Sequence, residues 1–317
     1  MTNKKYTLNE SQMNFIASLR GHSITKYSKR KDRPSYRIRL KPREVELLLE
    51  YKKEHQNSDA KFPKILIFDI ETAPLKAYVW RRWKQNISID QTVSEWFMIS
   101  WAAKWLDSKG IISECLTPQE IIEEDDKRII RQLWTLFDEA DIVIAHNGRR
   151  FDVPHANARF VLLGLLPPSP YTQIDTLEVV RKQFNFSSNK LDALAKYFGI
   201  ENKDGTDFEL WKKCMEGDQE SLNYMKEYNK KDVVILEKIY LKIRPWIKNH
   251  PNAGLYLENE EETCPYCGST DLADTGTFSY TGVSKFSNVR CSKCGGIARR
   301  RTSDYPKEKR KNLIKST

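Results

Sequence analysis

Two acids one residue apart, Asp69 and Glu71, end an apolar run of Ile65, Leu66, Ile67 and Phe68. The run predicts a short, fully buried strand whose side chains alternate between faces. Asp69 and Glu71 therefore point together, while Ile70 points into the core. Paired carboxylates repel each other unless a cation lies between them, and hard oxygen donors of this kind suit Mg²⁺ or Mn²⁺. A strand that merely ends in two solvated acids satisfies so short a pattern equally well, so its meaning depends on the acids downstream. Asp152 follows an apolar stretch at 141–145 and the polar loop His146-Asn147-Gly148-Arg149-Arg150-Phe151. Asp232 lies in a long amphipathic segment, four residues after Tyr228, so the two share a helix face. Taken singly, neither is diagnostic. The helix dipole favours an acid in a first turn, and Lys230 or Lys231 could simply pair with Asp232.

A second set of donors is sulfur. Cys264-Pro265-Tyr266-Cys267-Gly268 and Cys291-Ser292-Lys293-Cys294-Gly295 are matching turns, each able to offer two thiolates to one tetrahedral ion. The separation of the pairs is that of a zinc ribbon. A segment this small with four unbridged cysteines lacks the core to fold unaided. One structural Zn²⁺ on Cys264, Cys267, Cys291 and Cys294 is expected. Cys115 and Cys214 read as ordinary core or helix cysteines.

The elements that must position the acids follow from periodicity. After the first strand comes an aromatic, basic stretch with Tyr78, Trp80, Arg81, Arg82, Trp83 and Lys84. It suits stacking on bases and holding phosphates, and equally a packed loop with snorkelling cations. Strands at 97–105 and 110–115 form a meander with the first. An amphipathic helix is predicted from about Pro118 to Ala140, then a buried strand at 141–145 and a helix opening at Asp152. A fifth strand at 171–176 carries Asp175, read as structural. Short helices include 191–198, and a long helix runs from about Gln219 to Ile243.

In order along the chain, Asp69-x-Glu71, then Asn147 with Phe151-Asp152, then Tyr228-x-x-x-Asp232 closely resemble the motifs of the DEDD 3′–5′ exonucleases of the ribonuclease H-like superfamily. The likeness covers roughly residues 64–245 and fits the tyrosine subclass. The histidine subclass has His five residues before the last Asp, where this chain has Glu227. The aromatic meander is similar to that of phage-encoded and bacterial members. The resemblance implies a mixed five-stranded sheet flanked by helices. It implies that Asp69, Glu71, Asp152 and Asp232 hold two Mg²⁺ or Mn²⁺ ions, which stabilise attacking and leaving oxygens in phosphodiester hydrolysis. It assigns Tyr228 to the attacking water, and Asn147 and Phe151 to the walls of the substrate pocket.

The bulk properties agree. At 317 residues and 39% hydrophobic, the chain affords one large domain with small additions. A net charge of +10 with 30% charged residues favours a polyanionic partner, nucleic acid before anionic membrane. No stretch has the length of a bilayer span, and the N-terminus lacks a signal-peptide core. A reducing cytoplasm is expected, the host's if the chain is phage-encoded. The expected division is a basic N-terminal module at 1–57, the nuclease domain at 62–250, a zinc ribbon at 260–302 and a disordered basic tail at 303–317. The module comprises a helix at 8–19, a basic stretch from Lys26 to Arg33, a strand at 36–40 and a helix from Pro42. Residues 52–62 read as a linker. The leading expectation is an exonuclease acting on single-stranded or 3′-end DNA. The alternatives are a ribonuclease or structure-selective endonuclease of the same fold, and a non-catalytic nucleic-acid-binding accessory protein. Protein partners are not indicated.

Overall fold

A computed structural model describes residues 5–8, 10–23, 36–55, 62–200, 207–257 and 261–314. The chain divides into two units, Met1–Lys61 with Tyr256–Glu260, and Phe62–Leu255 with Glu261–Thr317. In the first, β1 (Lys5–Leu8), α1 (Glu10–Leu19), β2 (Tyr36–Arg39) and α2 (Pro42–His55) follow in order. The expected first helix is found as α1, starting two residues later than expected and preceded by a strand, β1, that was not anticipated; α2 runs into the segment read as a linker. β1 pairs antiparallel with β2, and Leu8, Met13, Ile16, Ala17, Tyr36 and Leu48 form a small core. Arg20 clamps Glu44 at 2.8 Å and so ties α1 to α2. The basic stretch with Lys29, Arg30, Lys31 and Arg33 lies outside the described residues.

The second unit begins with β3 (Ile65–Thr72), β4 (Lys76–Ala77), β5 (Thr92–Ser94), β6 (Met98–Trp105) and β7 (Ile112–Cys115). Then come α3 (Pro118–Glu123), α4 (Lys127–Glu139), β8 (Ile142–Ala145), α5 (Asp152–Leu162) and β9 (Thr172–Asp175). Four helices follow: α6 (Thr176–Gln183), α7 (Leu191–Tyr197), α8 (Phe208–Met215) and α9 (Gln219–Ile243). The sheet order is β7-β6-β3-β8-β9. β3 is antiparallel to β6 and parallel to β8, and β8 is parallel to β9. This is the mixed five-stranded sheet flanked by helices that the motifs implied.

Alternation along β3 sorts its side chains between two cores. Leu66, Phe68 and Ile70 join Trp101, Ile129, Leu133 and Phe137 on the α4 side. Ile65 and Ile67 join Val233, Leu236 and Tyr240 of α9 on the other. Asp69 and Glu71 continue the second series, so the strand aims both acids at the face covered by α9. The core residues are fully buried and each contributes on the order of 2 kcal/mol.

One expected helix is two. The chain breaks between α3 and α4 because Glu124 adopts a left-handed conformation at φ 54°. A capping box of Thr117 and Glu120 closes the front of α3. The break seats Asp126 in the interior, where it accepts the Met98 N–H at 3.0 Å and meets Arg159 at 2.5 Å. Asp125 and Asp126, which favour caps and turns over helix interior, sit at the break.

The unit ends with β10 (Leu272–Thr281), β11 (Ser284–Cys291), β12 (Ile297–Arg299) and α10 (Lys307–Lys311), the three strands forming one antiparallel sheet. The ribbon is joined to α9 and not merely linked. Tyr240 Oη lies 2.8 Å from His250 Nε2, the His250 ring packs on Tyr266, and Ala253 N–H donates to the Pro265 carbonyl at 2.8 Å. The tail, expected to be disordered, folds back in part. Asp304 N–H donates to the Lys285 carbonyl, and its carboxylate accepts from Ser287 Oγ.

Candidate active site

β3 outruns β8. Their pairing ends at Ile67 with Ile144, while β3 continues to Thr72 and a bulge separates Glu71 from Thr72. Beyond the pairing, Asp69 and Glu71 face α9, whose Asp232 completes a cluster. One carboxylate oxygen from each of Asp69, Glu71 and Asp232 lies within 4.8 Å of the others. Asn229, one turn before Asp232 and fully buried, donates from Nδ2 to Asp69 Oδ2 at 2.6 Å. The helix is anchored by an ion pair between Glu237 and Lys104 of β6, with both side chains mostly buried. Three acids this close would be stabilised by a divalent cation among them, and all-oxygen donors suit hard ions such as Mg²⁺, Mn²⁺ or Ca²⁺ over softer ones.

Asp152 stands apart from that trio and against the backbone between its first two members. The free edge of β3 leaves peptide groups without a strand partner, and Asp152 Oδ1 accepts the N–H of Ile70 at 3.3 Å. Burial pushes the Asp152 carboxyl up to about 7, opposed by its own and Ile70's backbone N–H and assisted by the charge of Asp175.

The loop that delivers Asp152 is stapled by Asp175. Its Oδ1 accepts the N–H groups of Asn147, Leu177 and Glu178, and its Oδ2 accepts that of Arg149. Asn147 has φ 71°, a conformation asparagine tolerates better than most residues. At Gly148 a Cβ would sit 2.5 Å from Ala145 Cβ, so only glycine lets the loop close on β8. Behind the loop, Asn147, Arg150, Asp175, Glu178, Arg181 and Lys182 line a cavity of about 180 Å³. Phe151, just before α5, packs its ring on His155 at 4.3 Å, and His155 in turn meets Trp96 at 4.5 Å.

The four thiols converge separately. Cys264 Sγ lies 3.5 Å from Cys294 Sγ, and Cys267 Sγ 3.6 Å from Cys291 Sγ. All four are within 4.8 Å of one another. Zinc–sulfur bonds of about 2.3 Å in a tetrahedron require sulfurs about 3.8 Å apart, so the set fits Zn²⁺. Burial raises the Cys264 thiol above its ordinary range and pushes Cys267 up to about 11. Burial also opposes the Cys291 thiolate, yet N–H groups of the Cys294 turn and neighbouring thiols outweigh it and bring Cys291 down to about 7.

Of the residues read from sequence, Asp69, Glu71 and Asp232 are brought together and Asp152 lies against their strand. Tyr228 is half-buried on the same face of α9, one turn before Asp232. Asn147 and Phe151 flank the loop into Asp152. Asp175 is structural, as expected. Asn229 was missed, although its place three residues before Asp232 put it on the inward face of a long helix.

The fold and the acid cluster define a mixed α/β domain whose central strand and long helix bring together three carboxylates that could hold a divalent cation. Residues 66–244, more than half of the chain, match the family model of the RNase H superfamily, and the chain belongs to that superfamily. Over 88 residues it is 33% identical to the PolC-type DNA polymerase III of Ureaplasma parvum serovar 3, a match covering 27% of this chain and 6% of that protein. The family B DNA polymerase of Pyrobaculum calidifontis aligns at 18% identity and a TM-score of 0.43, over 58% of this chain and 25% of the polymerase chain. The chain thus spans a small part of the proteins it matches. Superfamily membership with the clustered acids supports nuclease activity on nucleic acid.

Proposed function

We propose that the chain is a metal-dependent 3′–5′ exonuclease that hydrolyses phosphodiester bonds, DNA in preference to RNA. The observation that carries this reading is the approach of Asp69, Glu71 and Asp232 to within 4.8 Å, with Asp152 against the backbone between the first two. These four would hold Mg²⁺ or Mn²⁺, which when bound supplies charge neutralisation at the phosphate and a more acidic water. Asn229 fixes the rotamer of Asp69 through its 2.6 Å hydrogen bond. Tyr228 orients the attacking water through its hydroxyl; an ordinary phenol near pKa 10 is too weak a base to do more at neutral pH. Asn147 and Phe151 border the terminal nucleotide. The cavity behind them, with Arg150, Arg181 and Lys182, suits a phosphate of the strand. The thiol set would hold one structural Zn²⁺, and the ribbon's Arg290, Lys293 and Arg299 would add phosphate contacts.

Degradation of 5′-labelled single strands of DNA and of RNA in Mg²⁺ tests the reading. A ladder of progressively shorter DNA products supports it. A discrete internal cut, or faster loss of RNA, favours the endonuclease or ribonuclease alternative and overturns it.

A further inference from the structure

The connection from β3 to β6 contributes little to the sheet, yet it is firmly footed. It leaves β3 one residue after Glu71. Ala73 N–H donates to the Phe97 carbonyl at 2.8 Å, β4 pairs with β5, and Tyr78 N–H donates to the Gln91 carbonyl at 2.9 Å. Beyond this foot the loop turns its largest side chains to solvent. Tyr78 is 78% exposed, Trp80 94% and Trp83 82%. A single exposed tryptophan needs no explanation, but three exposed aromatics within six residues mark a contact surface. Arg81, Arg82 and Lys84 alternate with them, and residues 72–89 contain no acid. Among the described residues none of these three cations has an ion-pair partner. The returning limb ends at Trp96, whose ring meets His155 and through it Phe151, the residue before Asp152.

We propose that residues 78–84 form a clamp for single-stranded nucleic acid leading to the acid cluster. Tyr78, Trp80 and Trp83 stack on unpaired bases, and Arg81, Arg82 and Lys84 hold the phosphates between them. Cations alone would accept duplex and single strand alike. Exposed rings gain only from bases whose faces are open, which selects the unpaired strand. The role as a lead-in to the acids rests on the nuclease reading; the clamp itself does not.

The test is a titration of the full chain, without divalent metal, against a fluorescent single strand and the matching duplex, read by anisotropy. Trp80→Ala with Trp83→Ala should weaken single-strand binding by about tenfold or more and leave duplex binding unchanged. Trp80→Phe with Trp83→Phe should restore most of the affinity. Arg81→Gln with Arg82→Gln should flatten the single-strand salt dependence by about 1.4 in log–log slope. Thermal unfolding confirms that these exposed substitutions leave the fold intact. Single-strand affinity that ignores the ring substitutions overturns the clamp. A chain that binds through these rings but never cuts in Mg²⁺ keeps the clamp and overturns the nuclease reading.

Discussion

Asp175 holds the loop that carries Asp152, and its two oxygens have unequal loads. Oδ1 accepts three N–H groups, from Asn147, Leu177 and Glu178, while Oδ2 accepts only that of Arg149. Asp175→Ala strands all four. Loss of the helix cap costs about 1 kcal/mol, and each loop N–H left without its charged acceptor about 1.5 kcal/mol. The sum is about 4 kcal/mol. Asp175→Asn keeps the three-fold oxygen and sets an amide N–H₂ against Arg149 N–H, so it should cost about 1.5 kcal/mol. All eight tryptophans fall between residues 80 and 246. Tryptophan fluorescence in urea therefore follows the unit containing the site, without signal from residues 1–61. Asp175→Asn as damaging as Asp175→Ala, or Asp175→Ala costing under about 1 kcal/mol, would refute the argument from unequal loads.

Glu237→Ala leaves Lys104 mostly buried without its partner and should cost about 3 kcal/mol in the same urea assay, while Lys104→Met with Glu237→Leu should recover most of it. Asn229→Ala should slow single-turnover cleavage by about tenfold through loss of the Asp69 contact, with little change in substrate affinity. His146 lies 2.9 Å from both Thr176 Oγ1 and the Asn189 carbonyl, and burial lowers its pKa. The unfolded chain therefore takes up a proton that the native state resists, so stability falls as pH drops through about 6.5, and His146→Asn should flatten that fall in thermal unfolding. Elemental analysis should find one zinc per chain, lost in Cys264→Ser with Cys267→Ser together with protease resistance of the ribbon; a zinc-free ribbon that stays resistant counts against the thiol site.

The parts of the fold fixed by local pattern were legible. β3 is a continuous apolar run, and α9 carries an uninterrupted stripe, so both were bounded closely from residues alone. Alternation on β3 gave the shared direction of Asp69 and Glu71. What the pattern hid depends on contacts distant in sequence. The break at Glu124 is stabilised by Asp126 meeting Met98 N–H and Arg159, partners 28 and 33 residues away. Apolar spacing across 118–140 looks continuous because both helices bury the same face. Asp152 shares a motif with the other acids, yet its hydrogen bond to Ile70 N–H follows from β3 outrunning β8, which only strand register reveals. Asn229 carries no signal of its own: an amide on a helix is chemically unremarkable until Asp69 is placed opposite. The partial folding of the tail arises from Asp304 pairing with the edge of β11, a contact that charge composition does not encode.

The central claim is that the clustered acids act together on a phosphodiester. Single-turnover degradation of a 3′-terminal strand, in Mg²⁺ and in Mn²⁺, tests it with Asp69→Ala, Asp232→Ala and the double variant, each checked by thermal unfolding. Groups that work as one unit are non-additive. Both single variants should abolish cleavage, the double should be scarcely worse, and metal-free stability should hold, because relief of mutual repulsion offsets the Asn229 hydrogen bond lost with Asp69. Near-normal cleavage by both Asp69→Ala and Asp232→Ala would contradict the account.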